Sequence, residues 1–489
     1  MKGYTGKVLF VNLSTGDIHS ETIPDEVYEQ YLSGVGLGVH TLYHHIPAGA
    51  DPLGPDNMIG FVSGLLTGTP SVVTGRWMVV CKSPITGGWG DSNCGGTLSP
   101  AIKQCGYDGI FINGVSKTPV YLYVDHKNAE IRPVDHVWGL DAIEAEQVLQ
   151  KENWKTKKPA VAVIGTSGEK VSLISGIVND GGRIAARSGG GAVMGSKKLK
   201  GIVLAGIKPV GCADPAAMKS ISKELSNKMR KANMPVKGGV FPLMGTVMGK
   251  FKRALPMDGM LVGILMKKWG TISNNTLGIT SGDSPLKNWA GSVVDYNRSY
   301  YKHLNPEKIM KIEAKKYHCY SCVIGCGGIV EISKATNGEF THTHKPEYET
   351  MMTFGGLVMN KDVDAILYIN ELLNRAGMDS ISAGGTVAFA IECYENGIIT
   401  REMTDGLELN WGNSKAIVAL VKKMIAREGI GDLLADGVKV AAKKLGVTDK
   451  PYTVTAGGQE PGMHDSRMDP LLGIHFSADP TPGRHTIGS

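Results

Sequence analysis

No uninterrupted apolar run in the sequence reaches the roughly 18 residues of a membrane span. The richest stretch, residues 257–269, is broken by Lys267 and Lys268. Charge of one sign is also scarce. A formal net charge of +6 over 489 residues, with Lys and Arg spread along the chain, gives no argument for nucleic acid as a partner. The opening Met1-Lys2-Gly3-Tyr4-Thr5-Gly6 has neither an apolar h-region nor a twin arginine. No export signal is therefore expected, and the cytoplasm is the default compartment. Eight cysteines are too few for a disulfide scaffold at this length. No internal repeat or low-complexity segment stands out.

Glycine is what the chain has in excess. Its 65 glycines make about 13% of the residues, against a usual ~7%, and no Gly-X-Y period accompanies them, which excludes collagen. They sit among apolar residues, as in Ser188-Gly189-Gly190-Gly191-Ala192, and suggest tight turns and close backbone approach to a ligand. With 42% hydrophobic residues a large core is possible, and the length suggests two to four domains.

The pattern predicts an α+β fold: an N-terminal mixed β-sheet domain followed by mostly α-helical domains. Residues 1–210 read as an α/β domain, 211–450 as a mainly helical domain carrying clustered cysteines, and 451–489 as the start of a C-terminal helical domain. Residues 7–13 and 17–21 flank a Ser14-Thr15-Gly16 turn, an opening hairpin. Strands are expected at 77–81, 109–113, 120–125 and 160–164. Asp141 with Glu144 resembles a capping box, placing a helix over 142–151. Further helices are expected at 215–232, 361–376, 382–395, 414–427 and 431–445. Residues 234–300, rich in Met, Gly and Asn, carry no clear assignment, and the methionines from Met244 to Met266 read as flexible packing.

Three of the eight cysteines, Cys319, Cys322 and Cys326, crowd into eight positions. C-x-x-C lets a turn present two sulfurs together, and the third follows about one turn later. An iron–sulfur cluster uses Cys thiolates, usually four; structural zinc also wants four ligands, with His318, His342 or His344 completing a zinc knuckle. The spacing favours the cluster. Residues 181–197 set Arg183 and Arg187 beside a glycine run, offering guanidinium forks and bare amides to an anion. Gly195-Ser196-Lys197 reverses the Ser and Lys of a Walker A loop, so a nucleotide-hydrolysing site is rejected. Thr74-Gly75-Arg76-Trp77 and residues 91–96 place polar side chains next to glycine in expected loops beside strands. Glu349 and His485 are possible acid/base groups, each of which alone reads as an ordinary surface or loop residue.

These pieces together resemble the aldehyde ferredoxin oxidoreductase family of tungsten enzymes. The resemblance runs through Gly6-Lys7-Val8-Leu9-Phe10-Val11-Asn12-Leu13, residues 91–96, residues 183–200, the three cysteines and residues 346–350. It continues into residues 374–382, which are similar to the family's D-x-x-G-L-D pterin motif with Asn374 in place of the first Asp. The resemblance implies a tungsten bis-molybdopterin (tungstopterin, with molybdenum as the alternative metal), a [4Fe-4S] cluster and a Mg2+ ion bridging the pterin phosphates. It assigns Arg76, Asn93, Gly95, Arg183, Ile184, Ala186 and Arg187 to the phosphates. Asn93 and Ile184 would supply oxygens to Mg2+. Asn374 and Asp379 would hydrogen-bond a pterin, Cys319, Cys322 and Cys326 would ligate the cluster, and Glu349 and His485 would flank the tungsten as proton-transfer groups.

The function so implied is oxidation of aldehydes to carboxylic acids, with electrons passing through the cluster to ferredoxin or an iron–sulfur subunit. An aryl-CoA (benzoyl-CoA type) reductase subunit is the alternative, and a non-catalytic scaffold a third reading. A small aldehyde substrate and a homo- or hetero-oligomer are expected. Three departures accompany the resemblance. The family's fourth cluster cysteine, in a G-L-C-type motif, has no counterpart before Ser489, so the chain is expected to be truncated. Ile487 replaces a family lysine, and Tyr368 stands where some members place a metal-binding Glu, so no metal between subunits is expected there.

Overall fold

The opening hairpin forms as its turn chemistry dictates. β1 (Lys7–Asn12) and β2 (Ile18–Thr22) pair antiparallel from Lys7↔Thr22 to Val11↔Ile18. Asn12 Oδ1 accepts the backbone N–H groups of Ser14 and Thr15, and Gly16 supplies φ +79°. The computed structural model describes residues 3–233, 235–251 and 259–486; Ile487 lies outside the described residues. The chain divides into two units: Met1–Arg230 with His318–Val323 and Asn374–Asp379, and Lys231–Tyr317 with Ile324–Leu373 and Ser380–Ser489.

The first unit contains two six-stranded mixed sheets. One adds β3 (Ile59–Ser63), β4 (Trp77–Lys82), β5 (Trp89–Cys94) and β6 (Gly109–Asn113) to the hairpin, in the order β2-β1-β6-β3-β4-β5. Only β1 and β6 run parallel in it. The other holds β7 (Val120–Val124), β8 (Ala129–Pro133), β9 (Ala160–Val163), β10 (Ile177–Asn179), β11 (Arg183–Ala185) and β12 (Leu199–Leu204), in the order β11-β10-β9-β12-β7-β8. A shared core that includes Leu9, Phe61, Trp77, Leu122 and Ile202 holds the two together. The helix Leu98–Cys105 belongs to that core through Leu98, Ala101, Ile102 and Cys105. Asp141 caps the helix Ala142–Asn153, accepting from Ile143 N and Glu144 N.

Backbone meets backbone across this unit, and that is where several glycines are used. A Cβ at Gly165 would stand 2.4 Å from Ala376 O, one at Gly191 2.6 Å from Gly176 O, and one at Gly195 1.8 Å from Gly168 O. Gly176 N–H donates to Gly377 O at 2.8 Å. Thus part of the glycine excess serves chain-on-chain packing rather than ligand approach.

The second unit is mostly helical, with one small sheet of β13 (Glu313–Tyr317), β14 (Gly327–Glu331) and β15 (His342–His344). Its Ser380–Glu395 helix is buried almost all round, as an apolar sequence with weak amphipathicity requires. The unassigned 234–300 region contains Phe241–Lys250, Gly259–Trp269 and Asn274–Ser281 as helices. The helix expected at 431–445 is instead two, Ile430–Leu434 and Val438–Leu445, because Gly437 takes φ +88°. Pro470–Ala478 is a helix capped by the Asp469 carboxylate inside the Gly- and Pro-rich tail. No helix among the described residues is long and apolar enough to cross a membrane.

Candidate active site

Three loops of the first unit converge on Gly95 and Gly96. The segment 91–96, expected as a loop, is largely strand: Asp91–Cys94 continue β5, pairing with Val80 through Trp77 of β4. Its polar residues hid the strand signal. Past Cys94 the chain turns, and Asn179 and Asp180 pin it: Asn179 Nδ2 donates to Gly95 O at 3.3 Å, while Thr97 donates to Asp180 through N–H and Oγ1 at 2.7 and 2.6 Å. The cysteine loop lies against this turn. Tyr320 N–H donates to Gly96 O at 3.2 Å, Val73 N–H to Ser321 O at 2.8 Å, and Ser321 Oγ to Ser71 O at 2.8 Å. A Cβ at Gly75 would stand 2.5 Å from Tyr320 O. One at Gly95 would stand 2.5 Å from Cys319 Sγ, 2.9 Å from Arg183 Nη1 and 3.7 Å from Arg76 Nη1. Only glycine lets sulfur and two guanidinium groups crowd one backbone position.

The arginines are used differently. Arg76 is exposed. Arg183 Nη1 donates to Cys319 Sγ at 3.1 Å. Arg187 Nη1 meets Asp379 Oδ2 at 2.6 Å, with both side chains largely buried. Neither Arg183 nor Arg187 is a freely solvated side chain. The turn carrying Arg187 is tied to β5, where Arg187 N–H donates to Ser92 Oγ and Ser188 Oγ donates to Asp91 O. Ser188 and Gly189 take φ +70° and +74° to make that turn. Ile184 is the middle residue of β11, an edge strand with one side outside the ladder, and Ala186 follows it. Asn93 Oδ1 is buried and has no hydrogen-bond partner among the described residues. The segment carrying Asn374 and Asp379 is fixed by Arg375 Nη1 on Asp141 Oδ2 at 2.7 Å and by Asp379 N–H on Ile174 O at 2.9 Å.

The cysteines fall into two classes. Cys319, Cys322 and Cys326 are partly exposed, whereas the other five are buried. Burial pushes the thiols of Cys81, Cys94, Cys105 and Cys393 up to about 12, which keeps them as inert S–H groups. Cys322 N–H donates to Cys319 O at 3.1 Å, closing the C-x-x-C turn with Ser321 at φ +52°. Of the histidines considered for zinc, His318 Nδ1 lies 3.0 Å from Cys322 O and His344 Nδ1 lies 2.8 Å from Tyr317 OH. His342 is exposed beside Thr341. Tyr368 OH donates to Glu339 and accepts from Lys422 Nζ.

In the second unit the fold joins Glu349 to His485, which sequence reasoning alone left apart. Glu349 lies in the first turn of the short helix Tyr348–Thr353 and is only 12% exposed, not a solvated residue. Its Oε2 accepts Met463 N–H at 2.8 Å. Among the described residues its buried Oε1 has no well-aligned hydrogen bond, and it is faced by His485 Nε2 at 3.2 Å and His464 Nε2 at 3.5 Å. The three groups bring one ligand-type atom each within 4.8 Å of one another. The imidazoles stack, with centroids 5.4 Å apart. Gly462 makes room for His485, since a Cβ there would stand 2.7 Å from His485 Nδ1.

His464 was not singled out by any motif; it lies in a Gly- and Pro-rich stretch with no periodicity. Its Nδ1 pairs with Asp283 Oδ2 at 2.9 Å, and Asn274 Nδ2 donates to the same oxygen at 3.2 Å. Burial acts to lower the pKa of His464, but Asp283, with Glu349 and Asp469 behind it, outweighs burial and raises it to about 9. In its protonated form His464 has no lone pair at Nε2 to offer a metal.

The sequence is similar to known proteins along nearly all of its length. The family model "Aldehyde ferredoxin oxidoreductase, N-terminal domain" matches residues 8–206, and "Aldehyde ferredoxin oxidoreductase, domains 2 & 3" matches residues 247–488. A tungsten-containing aldehyde ferredoxin oxidoreductase of Pyrococcus furiosus is 36% identical over 455 residues, 93% of this chain and 69% of that protein. The protein of the same name from Thermococcus kodakarensis is 35% identical over 486 residues, 99% of this chain and 74% of that one. The aliphatic sulfonate oxidoreductase WOR-like subunit of Pyrococcus furiosus is 29% identical, over 99% of this chain and 75% of its own length. Among solved structures, a chain of the active site complex BamBC of benzoyl coenzyme A reductase, in complex with 1,5-dienoyl-CoA, superposes with a TM-score of 0.79 at 27% identity. That match covers 95% of this chain and 66% of the other, so this chain spans slightly less than two thirds of it. With both family models matched across 8–206 and 247–488, the chain belongs to the aldehyde ferredoxin oxidoreductase family and is an oxidoreductase enzyme.

Proposed function

We propose that this enzyme oxidises aldehydes to carboxylic acids with a tungsten bis-pterin cofactor. The observation that carries the reading is the buried Glu349 carboxylate with His485 Nε2 3.2 Å from its Oε1. The overall change is RCHO + H2O → RCOOH + 2 H+ + 2 e−, which requires a proton acceptor that water does not flood. Glu349 suits that role: Met463 N–H anchors Oε2, leaving Oε1 to take the proton released as water adds to the carbonyl. His485 Nε2 receives it from there. General acid–base assistance of this kind contributes about 10²–10⁴-fold.

The first unit's residues fit a phosphate-bearing cofactor. Arg76 and Arg183 flank Gly95, where two guanidinium forks suit phosphate oxygens. Asn93 Oδ1, without a hydrogen-bond partner among the described residues, suits a hard cation such as Mg2+, with Ile184 on the edge strand of the other sheet as a second oxygen source. Ala186 and Arg187 would close the phosphate cradle, and Asn374 and Asp379 would hold a pterin edge. When bound, the tungsten cofactor takes up the two electrons of the oxidation. Cys319, Cys322 and Cys326, the partly exposed cysteines, would hold a [4Fe-4S] cluster that passes electrons singly to ferredoxin or an iron–sulfur subunit.

The test is to purify the protein anaerobically, measure tungsten and iron per chain, and follow aldehyde-dependent reduction of a viologen dye. Full tungsten loading with no activity on any aldehyde sinks this reading. A second reading, reduction of an aromatic CoA thioester, is supported by the TM-score of 0.79 to the benzoyl coenzyme A reductase complex. Assaying benzoyl-CoA dearomatisation beside aldehyde oxidation separates the two.

A further inference from the structure

Two imidazoles face one carboxylate oxygen in the second unit, and their surroundings differ. His464 has a carboxylate at each end: Asp283 Oδ2 2.9 Å from Nδ1, and Glu349 Oε1 3.5 Å from Nε2. Asp283 is itself held, accepting from Asn274 Nδ2 at 3.2 Å, while its backbone carbonyl accepts Asp465 N–H at 2.6 Å. The Tyr348 ring lies against His464 with centroids 5.2 Å apart, and Tyr348 OH donates to Met463 O at 2.6 Å, fixing the residue before His464. The same Met463 donates its N–H to Glu349 Oε2. One backbone step therefore sets both the carboxylate and the ring beside it.

We propose that His464 is a positioning residue of the proton-transfer site, held as a cation between Asp283 and Glu349 so that Glu349 relays its proton to His485. The inference rests on the reading of Glu349 as proton acceptor. Asp283, Glu349 and Asp469 are the acids that act on the ring, Tyr348 and His485 its ring neighbours. Because His464 already carries its proton, it accepts none from Glu349. The other imidazole facing Glu349 Oε1 among the described residues is His485, with Nε2 at 3.2 Å, and the proton taken up at Oε1 passes there. The cation also separates two carboxylates that would otherwise face each other across one ring. No bond other than the transferred O–H and N–H bonds changes: Glu349 is regenerated as the carboxylate, and His485 carries the proton away. Burial works against a charge on His464, and Asp283 together with Glu349 and Asp469 outweighs it, raising its pKa to about 9.

The experiment uses the full chain, purified anaerobically, as wild type, His464→Gln, His464→Lys and Asp283→Asn. Its first readout is NMR titration of 13Cε1-labelled histidine, with His464→Gln assigning the resonance; this does not depend on any turnover. The proposal expects a titration near pH 9 that falls by a pH unit or more in Asp283→Asn. The second readout is the pH profile of aldehyde-dependent viologen reduction. An alkaline limb near pH 9 is expected in wild type, shifted down in Asp283→Asn. His464→Gln should lower kcat roughly tenfold, a loss equal to about 1.4 kcal/mol, with KM little changed. His464→Lys, whose ammonium titrates near 10.4, should retain activity above the wild-type limb, which a structural role would not produce.

A His464 resonance titrating at or below about 6.5 overturns the proposal, as does an alkaline limb that ignores both Asp283→Asn and His464→Lys. So does stoichiometric Co2+ binding that His464→Gln abolishes, which makes the trio a metal site. If no aldehyde is oxidised, the function proposed above fails, and the histidine titration by itself decides whether His464 is the held cation.

Discussion

Arg187 Nη1 and Asp379 Oδ2 lie 2.6 Å apart across 192 positions of sequence, with side chains 10% and 3% exposed. The pair joins the glycine-rich turn after β11 to the segment 374–379. The pair is buried, so Arg187→Met and Asp379→Leu should each cost about 3–5 kcal/mol in urea unfolding. The double variant should recover most of that stability. If the two residues also hold a pterin, the double variant folds but carries less cofactor, measured as the fluorescent oxidation product of the released pterin. Full pterin content in the stable double variant removes both residues from the cofactor site.

Gly95→Ala should disturb the cysteine loop without disturbing the sheets. The new Cβ would stand 2.5 Å from Cys319 Sγ and 2.9 Å from Arg183 Nη1. Sulfur and guanidinium must both move, although bonds such as Tyr320 N–H on Gly96 O and Ser321 Oγ on Ser71 O also hold the loop. Iron per chain is expected to drop by half or more, while far-ultraviolet circular dichroism stays that of wild type. Unchanged iron content with unchanged activity would show that the loop tolerates the shift.

How much of this could be read before folding differs by residue. Val120–Val124 and Ala160–Val163 are buried, β-branched or aromatic runs, and their period-free apolar pattern marked them as strands. Asp91–Cys94 did not: Asp, Ser and Asn have low strand propensity, and the pairing with β4 overrides it. The helix break at Gly437 lay inside a continuous 3.6-residue pattern, because a single glycine at φ +88° leaves the periodicity on both sides intact. Of the site residues, Arg183, Arg187, Glu349 and His485 carried a family pattern. His464, Asp283, Asn179 and Asp180 carried none, because their roles come from contacts formed only when distant segments meet. The resemblance assigned Gly95 to the phosphates, but what approaches it most closely in the structure is Cys319 Sγ of the cysteine loop.

Cys319→Ser, Cys322→Ser and Cys326→Ser should each lower cluster content, while Cys94→Ser should not. Cys94 is buried, its Sγ lies 3.1 Å from Asn179 Oδ1, and its thiol is pushed up to about 12, so it is a poor thiolate ligand. The three clustered cysteines are the partly exposed ones. Iron and acid-labile sulfide analysis on all four variants checks this. Loss of iron in Cys94→Ser equal to that in Cys319→Ser would make Cys94 a ligand and replace the present assignment.

Glu349→Gln and Gly462→Ala should slow turnover by different routes. Glutamine keeps the acceptor for Met463 N–H on its amide oxygen but cannot take a proton, so kcat should fall about 10²–10⁴-fold with tungsten and iron content unchanged. Alanine at 462 leaves Glu349 intact and instead drives a methyl group to 2.7 Å from His485 Nδ1 and 2.9 Å from its Cβ, so the ring must leave its position near Glu349 Oε1. A displaced relay slows transfer away from Glu349 without abolishing uptake. Gly462→Ala should therefore retain more activity than Glu349→Gln, and small added amines such as imidazole should restore part of it. Imidazole cannot restore Glu349→Gln, because there the first acceptor is missing. Steady-state rates of the two variants with and without imidazole measure this contrast, and equal rescue of both would show that His485 does not receive its proton from Glu349.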